Sequence, residues 1–229
     1  MGIGDITQNY IDLNGVEIEC VKNMKVLGLN IDVKLDFRVH FSQICAKAGR
    51  QLNVLRRLSR NLNFDSKLAI YNSFISSTFH YCPVVWIFCG KVSSNKLEKL
   101  NERAIRIVYN YHISSYEDLL KKANVLSLSM LRLKYMIIEV YKCIRKRNPK
   151  YLNDMFTIKE AKYNFRDNSK LIQPDFNKKT HGYRSFSYYG SKIWNHIPPA
   201  LKAIEEMHIF KMEIHRWLLN TNPKELEIF

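Results

Sequence analysis

Seven cations stand at spacings that suit a run of phosphates. Lys47, Arg50 and Arg57 fall on the polar side of one helical period, and Lys96, Lys99, Arg103 and Arg106 follow another at i, i+3, i+7 and i+10. At 100° per residue those steps hold side chains on one stripe of a helix. A row of cations at that rise neutralises successive phosphates, and each one neutralised adds about 0.9 to the salt slope on duplex DNA. Such contacts carry affinity without sequence specificity. Arg56 and Arg60 belong to the first row, and no acidic residue occurs from Arg38 to Phe64 to neutralise it. Glu98 and Glu102 dilute the second row. Either stripe alone reads equally well as a solvated face. Together with 36 Lys and Arg against 21 Asp and Glu, a net charge of +15, they favour a polyanionic partner. Nucleic acid is that partner in the first instance, and an anionic membrane surface is the weaker option. Tyr81, Trp86, Tyr109 and Tyr111 lie beside the basic stretches and could stack on bases, although aromatics at helical spacing usually belong to a core.

Other chemistries lack their residues. Two-metal phosphoryl transfer needs closely set carboxylates, and the chain has no Asp-Asp pair and no Asp-x-Asp. Asp32 and Asp36, with Lys34 between them, read as turn or cap residues. His80, Cys82, Cys89 and His112 match no usual zinc spacing. No phosphate-binding glycine loop, zinc-protease helix or nucleophile elbow occurs, so no catalytic residue, metal ligand or cofactor is expected. His40, His181, His196, His208 and His215 stand alone.

A chain of 229 residues with 46% apolar content can bury a core, and its apolar runs fall well short of the roughly 20 residues of a bilayer span. The first residues carry no secretory leader, and Ile6 occupies the place where myristoylation needs Ser or Thr. Cys20, Cys45, Cys82, Cys89 and Cys143 form no C-x-x-C pair, and there is no N-x-Ser/Thr sequon. An intracellular setting, nucleus or cytoplasm, with reduced thiols is expected.

The elements that must position these residues follow from periodicity. Alternation at Val16, Ile18 and Cys20, then Lys25 to Ile31, predicts two strands joined near Lys22 to Met24. From Arg38 the period becomes helical, on Phe41, Ile44, Ala48, Leu52, Leu55 and Leu58. A second helix is expected from an Asp65 N-cap to Cys82-Pro83, and a third from about Ser93 to Tyr109. Ser114 and Glu117 have the form of a capping box that opens a fourth. The fifth spans about Leu128 to Arg147, closed by Pro149. Residues 157–190 read as a long irregular connection with a short strand, pattern returns from Phe186 to Trp194, and an amphipathic helix through Ile209, Phe210, Ile214, Trp217 and Leu218 follows Pro198-Pro199.

The order of these segments, with particular words in them, resembles the region downstream of the active site in reverse transcriptases of non-LTR (LINE) retrotransposons of the jockey and CR1 type. The words are Val26-Leu27-Gly28-Leu29-Asn30-Ile31-Asp32 with Leu35-Asp36-Phe37 and His40, then Lys67-Leu68-Ala69-Ile70-Tyr71-Asn72-Ser73, then Tyr81-Cys82-Pro83-Val84-Val85-Trp86. Leu97 to Ile107 follows, with Asn101 where the family more often has Gln. The most specific block is Tyr183 to Asn195 with Ile197-Pro198 and Phe210-Lys211. The resemblance implies that the hairpin bearing Leu27 and Gly28 lies at the palm edge as a primer grip. It implies a thumb that holds the RNA/DNA template-primer duplex, and a parent that is an RNA-directed DNA polymerase. The Y-x-D-D palm motif, the fingers and the endonuclease have no counterpart in this sequence, so the magnesium site would belong to a longer parent's palm and the chain alone is expected to have no polymerase activity.

The expectation is a mainly α fold: a palm-edge β hairpin over 1–34, a thumb-like helical bundle over 35–112, and a helical carboxy-terminal region over 113–229, tied by Trp86, Trp194 and Trp217. Its rival from another class is a helical protein-interaction scaffold, a stray or domesticated reading frame, which would show an exposed apolar patch.

Overall fold

The computed structural model describes residues 10–111, 113, 115–159, 169–175, 182 and 185–221. Two antiparallel hairpins come first and helices follow. The chain divides into two units, Met1–Leu119 and Leu120–Phe229.

Unit 1 opens with β1 (Tyr10–Leu13) paired to β2 (Val16–Glu19), then β3 (Asn23–Val26) paired to β4 (Leu29–Asp32). The two strands expected to meet near Lys22 therefore do not pair with each other; each belongs to a hairpin of its own. The cause is in the turns. Asn14-Gly15 and Leu27-Gly28 both take positive φ at both positions, 57° and 83°, then 47° and 85°. Two such residues form the tight turn whose twist matches antiparallel strands. Asn14-Gly15 is an ordinary sequence for it, whereas Leu27 accepts a left-handed backbone that a side chain of its kind seldom adopts. In β1–β2 the register puts Ile11 opposite Ile18 and Leu13 opposite Val16 on one face, with Tyr10 opposite Glu19 and Asp12 opposite Glu17 on the other. The apolar four are all exposed.

A loop organised by Asp32 leads out of β4. Its carboxylate accepts hydrogen bonds from the backbone N–H groups of Lys34, Asp36 and Phe37 at 3.0, 3.1 and 2.7 Å. Asp36 in turn accepts from Arg38 N at 3.1 Å. The helix α1 (Arg38–Leu58) follows and buries Phe41, Ile44, Ala48, Leu52 and Leu55, the predicted stripe; Leu58 stays exposed. After a 3₁₀ turn at Ser59–Asn61, α2 (Phe64–Ile70) begins one turn later. Its N-cap is Asn63, whose side chain accepts from Ser66 N, so Asp65 stands inside the first turn and is not the cap. Both residues are good caps, and the extended backbone at Asn63 decides between them. The helix then widens into a π turn at Tyr71–Ser76 before α3 (Ser77–His80). The helix α4 (Lys91–Tyr109) buries Leu97, Asn101, Ala104, Ile105 and Val108 against α1. Trp86 is buried and meets Phe41 edge to face at 5.3 Å. Each large side chain buried this fully contributes about 1.5–3 kcal/mol.

The helix α5 (Tyr116–Ala123) is capped by Ser115, whose Oγ accepts from Asp118 N at 3.1 Å and donates to the Asp118 carboxylate at 2.7 Å. The cap lies one residue beyond the expected Ser114–Glu117 pair; Ser114 lies outside the described residues.

Unit 2 is built round α6 (Leu128–Ile144), which ends three residues before the expected Arg147. Its buried residues include Leu133, Met136, Ile137, Val140 and Tyr141. Around it stand α7 (Lys150–Asn153), α8 (Phe186–His196), α9 (Pro199–Lys202) and α10 (Met207–Asn220). Tyr141 stacks on Phe210 at 4.0 Å, and its hydroxyl donates to Ile204 O and Glu205 O. The expected short strand is a single bridge, Ile158 with Leu171. It is clamped by the Trp194-Asn195 pair: Trp194 Nε1 donates to Ser169 O at 2.9 Å, and the Asn195 amide both accepts from Leu171 N and donates to Leu171 O. Trp86 belongs to unit 1 and Trp194 to unit 2, and Trp217 is only half-buried.

Candidate nucleic-acid interface

The helices α1 and α4 lie side by side and point the same way. Cys45, early in α1, sits close enough to Lys96, early in α4, that the cation pulls its thiol pKa part of the way back from the rise that burial causes. Arg56 and Arg57, late in α1, share an open basin with Ile107 and Asn110 at the end of α4. The shared apolar interior fixes both helices, and the cations project from what remains.

The basin measures about 1080 Å³. Its walls are Asn53, Arg56, Arg57, Ser59, Arg60, Lys67, Ile107 and Asn110. Four of the eight are cations, none is acidic, and none of those four cations is in an ion pair among the described residues. Bringing four like charges to one concavity raises the local potential, because the low-dielectric walls focus the field into it.

Two of the α1 cations, Lys47 and Arg57, line different cavities. Arg57 faces the basin with Arg56 and Arg60, and Arg50, seven residues before Arg57, is exposed on the same side of the helix, opposite the buried stripe. Lys47 turns to a smaller cavity of about 250 Å³, lined with Gly28, His40, Gln43, Ile44, Ser77, Thr78 and Tyr81. On α4 the row holds better. Lys96, Lys99 and Arg103 are exposed, and Lys96, Arg103 and Asn110 repeat every seven residues, so that stripe runs into the basin. Arg106 is different: its guanidinium donates to Glu102 Oε1 from two nitrogens, at 2.9 and 2.7 Å, and to Tyr111 O at 3.2 Å. The contribution of Lys67 was not legible in the sequence, since periodicity in α1 and α4 says nothing of which α2 residue meets them. Asn53 and Asn110 gave no signal either.

Leu27 and Gly28 form the tip of the second hairpin, with Leu27 88% exposed. The Tyr81 hydroxyl donates to Leu27 O, and its ring packs on Gly28, where an added Cβ would stand 3.5 Å from that hydroxyl. Asn30 ties the hairpin to α1 through its amide, which donates to Gln43 Oε1 at 2.6 Å. Of the candidate stacking residues, Trp86 is buried, Tyr81 and Tyr111 are exposed, and Tyr109 meets Phe64 edge to face at 5.2 Å.

Asp32 and Asp36 are engaged in the loop before α1, with Asp36 also paired to Arg38 at 2.8 Å. Among the described residues no group of three His, Cys, Asp or Glu converges as a metal site; His112 and His181 lie outside them. His80 Nδ1 is engaged with Ser76 O at 2.6 Å. Among the described residues no helix is long and apolar enough to cross a membrane.

Over 101 residues, 43% of the chain, the sequence is 26% identical to the "Probable RNA-directed DNA polymerase from transposon BS" of Drosophila melanogaster. The chain spans 11% of that protein's length. Part of the chain is thus distantly related to a transposon RNA-directed DNA polymerase. No family model matches the chain, and no solved structure matches it.

Proposed function

We propose that this chain is the part of a non-LTR (LINE), jockey-like retrotransposon reverse transcriptase that follows the palm, and that unit 1 acts there as a thumb, gripping the RNA/DNA template-primer duplex by its phosphates. The observation that carries the reading is the exposed row Lys96, Lys99 and Arg103, which leads to the acid-free basin at its end. The partial similarity to a transposon polymerase supports the parentage. Gripping is electrostatic: Arg57 and the α4 cations contact the backbone, Lys47 and Arg50 extend the footprint along α1, and the Leu27-Gly28 tip acts as a primer-grip-like finger. Catalysis and its magnesium belong to the palm of the longer parent, and the chain alone polymerises nothing. Its working place is intracellular, in nucleus or cytoplasm.

The test is a salt titration of binding to a primer-template duplex. A log-log slope of several units supports gripping, and Lys96→Ala should lower it by about one. A flat dependence refutes it.

One observation favours the second reading, a helical protein-interaction scaffold. The face of the first hairpin made by Ile11, Leu13, Val16 and Ile18 is apolar and exposed, and a two-stranded hairpin alone is marginal in water. On the polymerase reading the parent's palm covers that face. Under the scaffold reading it binds another protein, and duplex binding is absent.

A further inference from the structure

We infer that the basin between the ends of α1, α2 and α4 holds a few nucleotides of single-stranded nucleic acid, a second site that adjoins the duplex-gripping row on α4 and shares Arg57 with it. The inference rests on the nucleic-acid reading above and assigns that surface a second ligand.

Shape is the first ground. The cations come from three successive segments, Arg56 and Arg57 from α1, Arg60 from the 3₁₀ turn and Lys67 from α2, and they line one concavity of about 1080 Å³. A single strand bends into such a space and brings successive phosphates to cations on its different sides. The body of a duplex is convex and stiff, and meets a ridge such as Lys96, Lys99 and Arg103 without entering a hollow. Composition is the second. Asn53 and Asn110 line the basin with amides that both donate and accept, which suits the exposed edges of unpaired bases. The third is the neighbouring aromatic pair. Phe64, one turn before Lys67 on α2, is 45% exposed and meets Tyr109, the residue before Asn110. A cationic groove beside an aromatic face is the combination that binds single strands without sequence preference.

The test uses the whole 229-residue chain and two probes at one salt concentration: unstructured 12-nucleotide RNA and DNA oligomers, and an RNA–DNA duplex. Arg60→Ala with Lys67→Ala should weaken oligomer binding at least about tenfold and duplex binding less than about threefold, while Lys99→Ala with Arg103→Ala should do the reverse. Arg60, Lys99 and Arg103 are exposed and Lys67 is half-buried, and a charge-keeping control, Arg60→Lys with Lys67→Arg, should retain most of the oligomer affinity. If the RNA oligomer alone responds, the site is an RNA site; if both respond, it takes either strand. Equal losses on oligomer and duplex, or no loss on the oligomers, overturn the inference while the duplex reading stands. No binding to either probe removes both.

Discussion

The Tyr71 hydroxyl donates a 2.8 Å hydrogen bond to Oδ1 of Asn101, and both side chains are buried. Asn101 passes the connection on, its amide donating to the Tyr116 hydroxyl at 3.1 Å, and Tyr116 donates to Glu98 at 3.0 Å. The chain of bonds ties the π turn, α4 and α5 together inside an otherwise apolar interior. Burial pushes the pKa of both phenols well above the usual value, so each keeps its proton, and its donor role, across ordinary pH. Tyr71→Phe leaves the Asn101 carbonyl without that donor and should cost ~1–3 kcal/mol. Asn101→Leu should cost a similar amount. The double variant should lose clearly less than the sum, since removing both polar partners strands neither. Urea denaturation of the four proteins measures the coupling, and strict additivity would show that the bond contributes nothing specific.

Arg103 and Arg106 share a helix and a stripe but not a state. Arg103 is exposed, and Arg106 is held by Glu102. Arg103→Ala should lower the salt slope of duplex binding by about one. Glu102→Gln should act in the opposite sense, because it removes a carboxylate beside the row and releases Arg106 toward the phosphates. Tighter binding and a steeper slope for Glu102→Gln are the expected results, and weaker binding would rule the arrangement out.

Helix existence was legible because apolar spacing along α1 and α4 runs unbroken for several turns, so both appear within about two residues of their predicted limits. Ends were less so. Asn63 and Asp65, or Ser114 and Ser115, are equally good caps by type, and only the surrounding backbone chooses. The second hairpin stayed hidden because Leu27 is a poor residue for its left-handed turn, and a single Gly28 without a usual turn partner before it does not by itself mark a hairpin in the run from Lys25 to Ile31. Periodicity also gives the angle of a cation about its own helix and not what that side of the helix meets. Lys47 and Arg57 therefore looked equivalent, and one lies by the hairpin while the other faces the basin. Asn101 read as a family variant of Gln; its partner Tyr71 is thirty residues away, and that bond is a tertiary fact.

Gly190, in α8, is buried where the helix crosses α6. A Cβ built there would stand 2.7 Å from Val140 Cγ2 and 3.0 Å from the Phe156 ring. The Val140 contact involves a β-branched side chain with little freedom, so relief requires the helices to part. Gly190→Ala should destabilise unit 2 by ~1–3 kcal/mol despite the better helix propensity of alanine. Val140→Ala in the same chain removes the clashing methyl and should recover part of the loss. A thermal melt showing Gly190→Ala at or above the parent's midpoint would mean that the close approach is not a constraint.

Acid sensitivity follows from two histidines. Burial lowers the pKa of His40 in α1, and burial, reinforced by Lys134, lowers that of His215 in α10. His40 accepts from Asn30 N at 3.5 Å through Nδ1, and His215 Nε2 lies 3.2 Å from Asn124 O. Since both folded-state pKa values lie below the ordinary 6.5, the unfolded chain takes up protons first as the pH falls. Stability is then complete above that value and is lost progressively as the pH drops toward the folded pKa values. Denaturation midpoints measured between pH 7.5 and 5.5 should decline with acidification. His40→Gln and His215→Gln should each flatten the decline, whatever they do to stability at pH 7.5. A midpoint that holds constant through this window, or one that rises on acidification, would contradict the assignment of neutral imidazoles at these two positions.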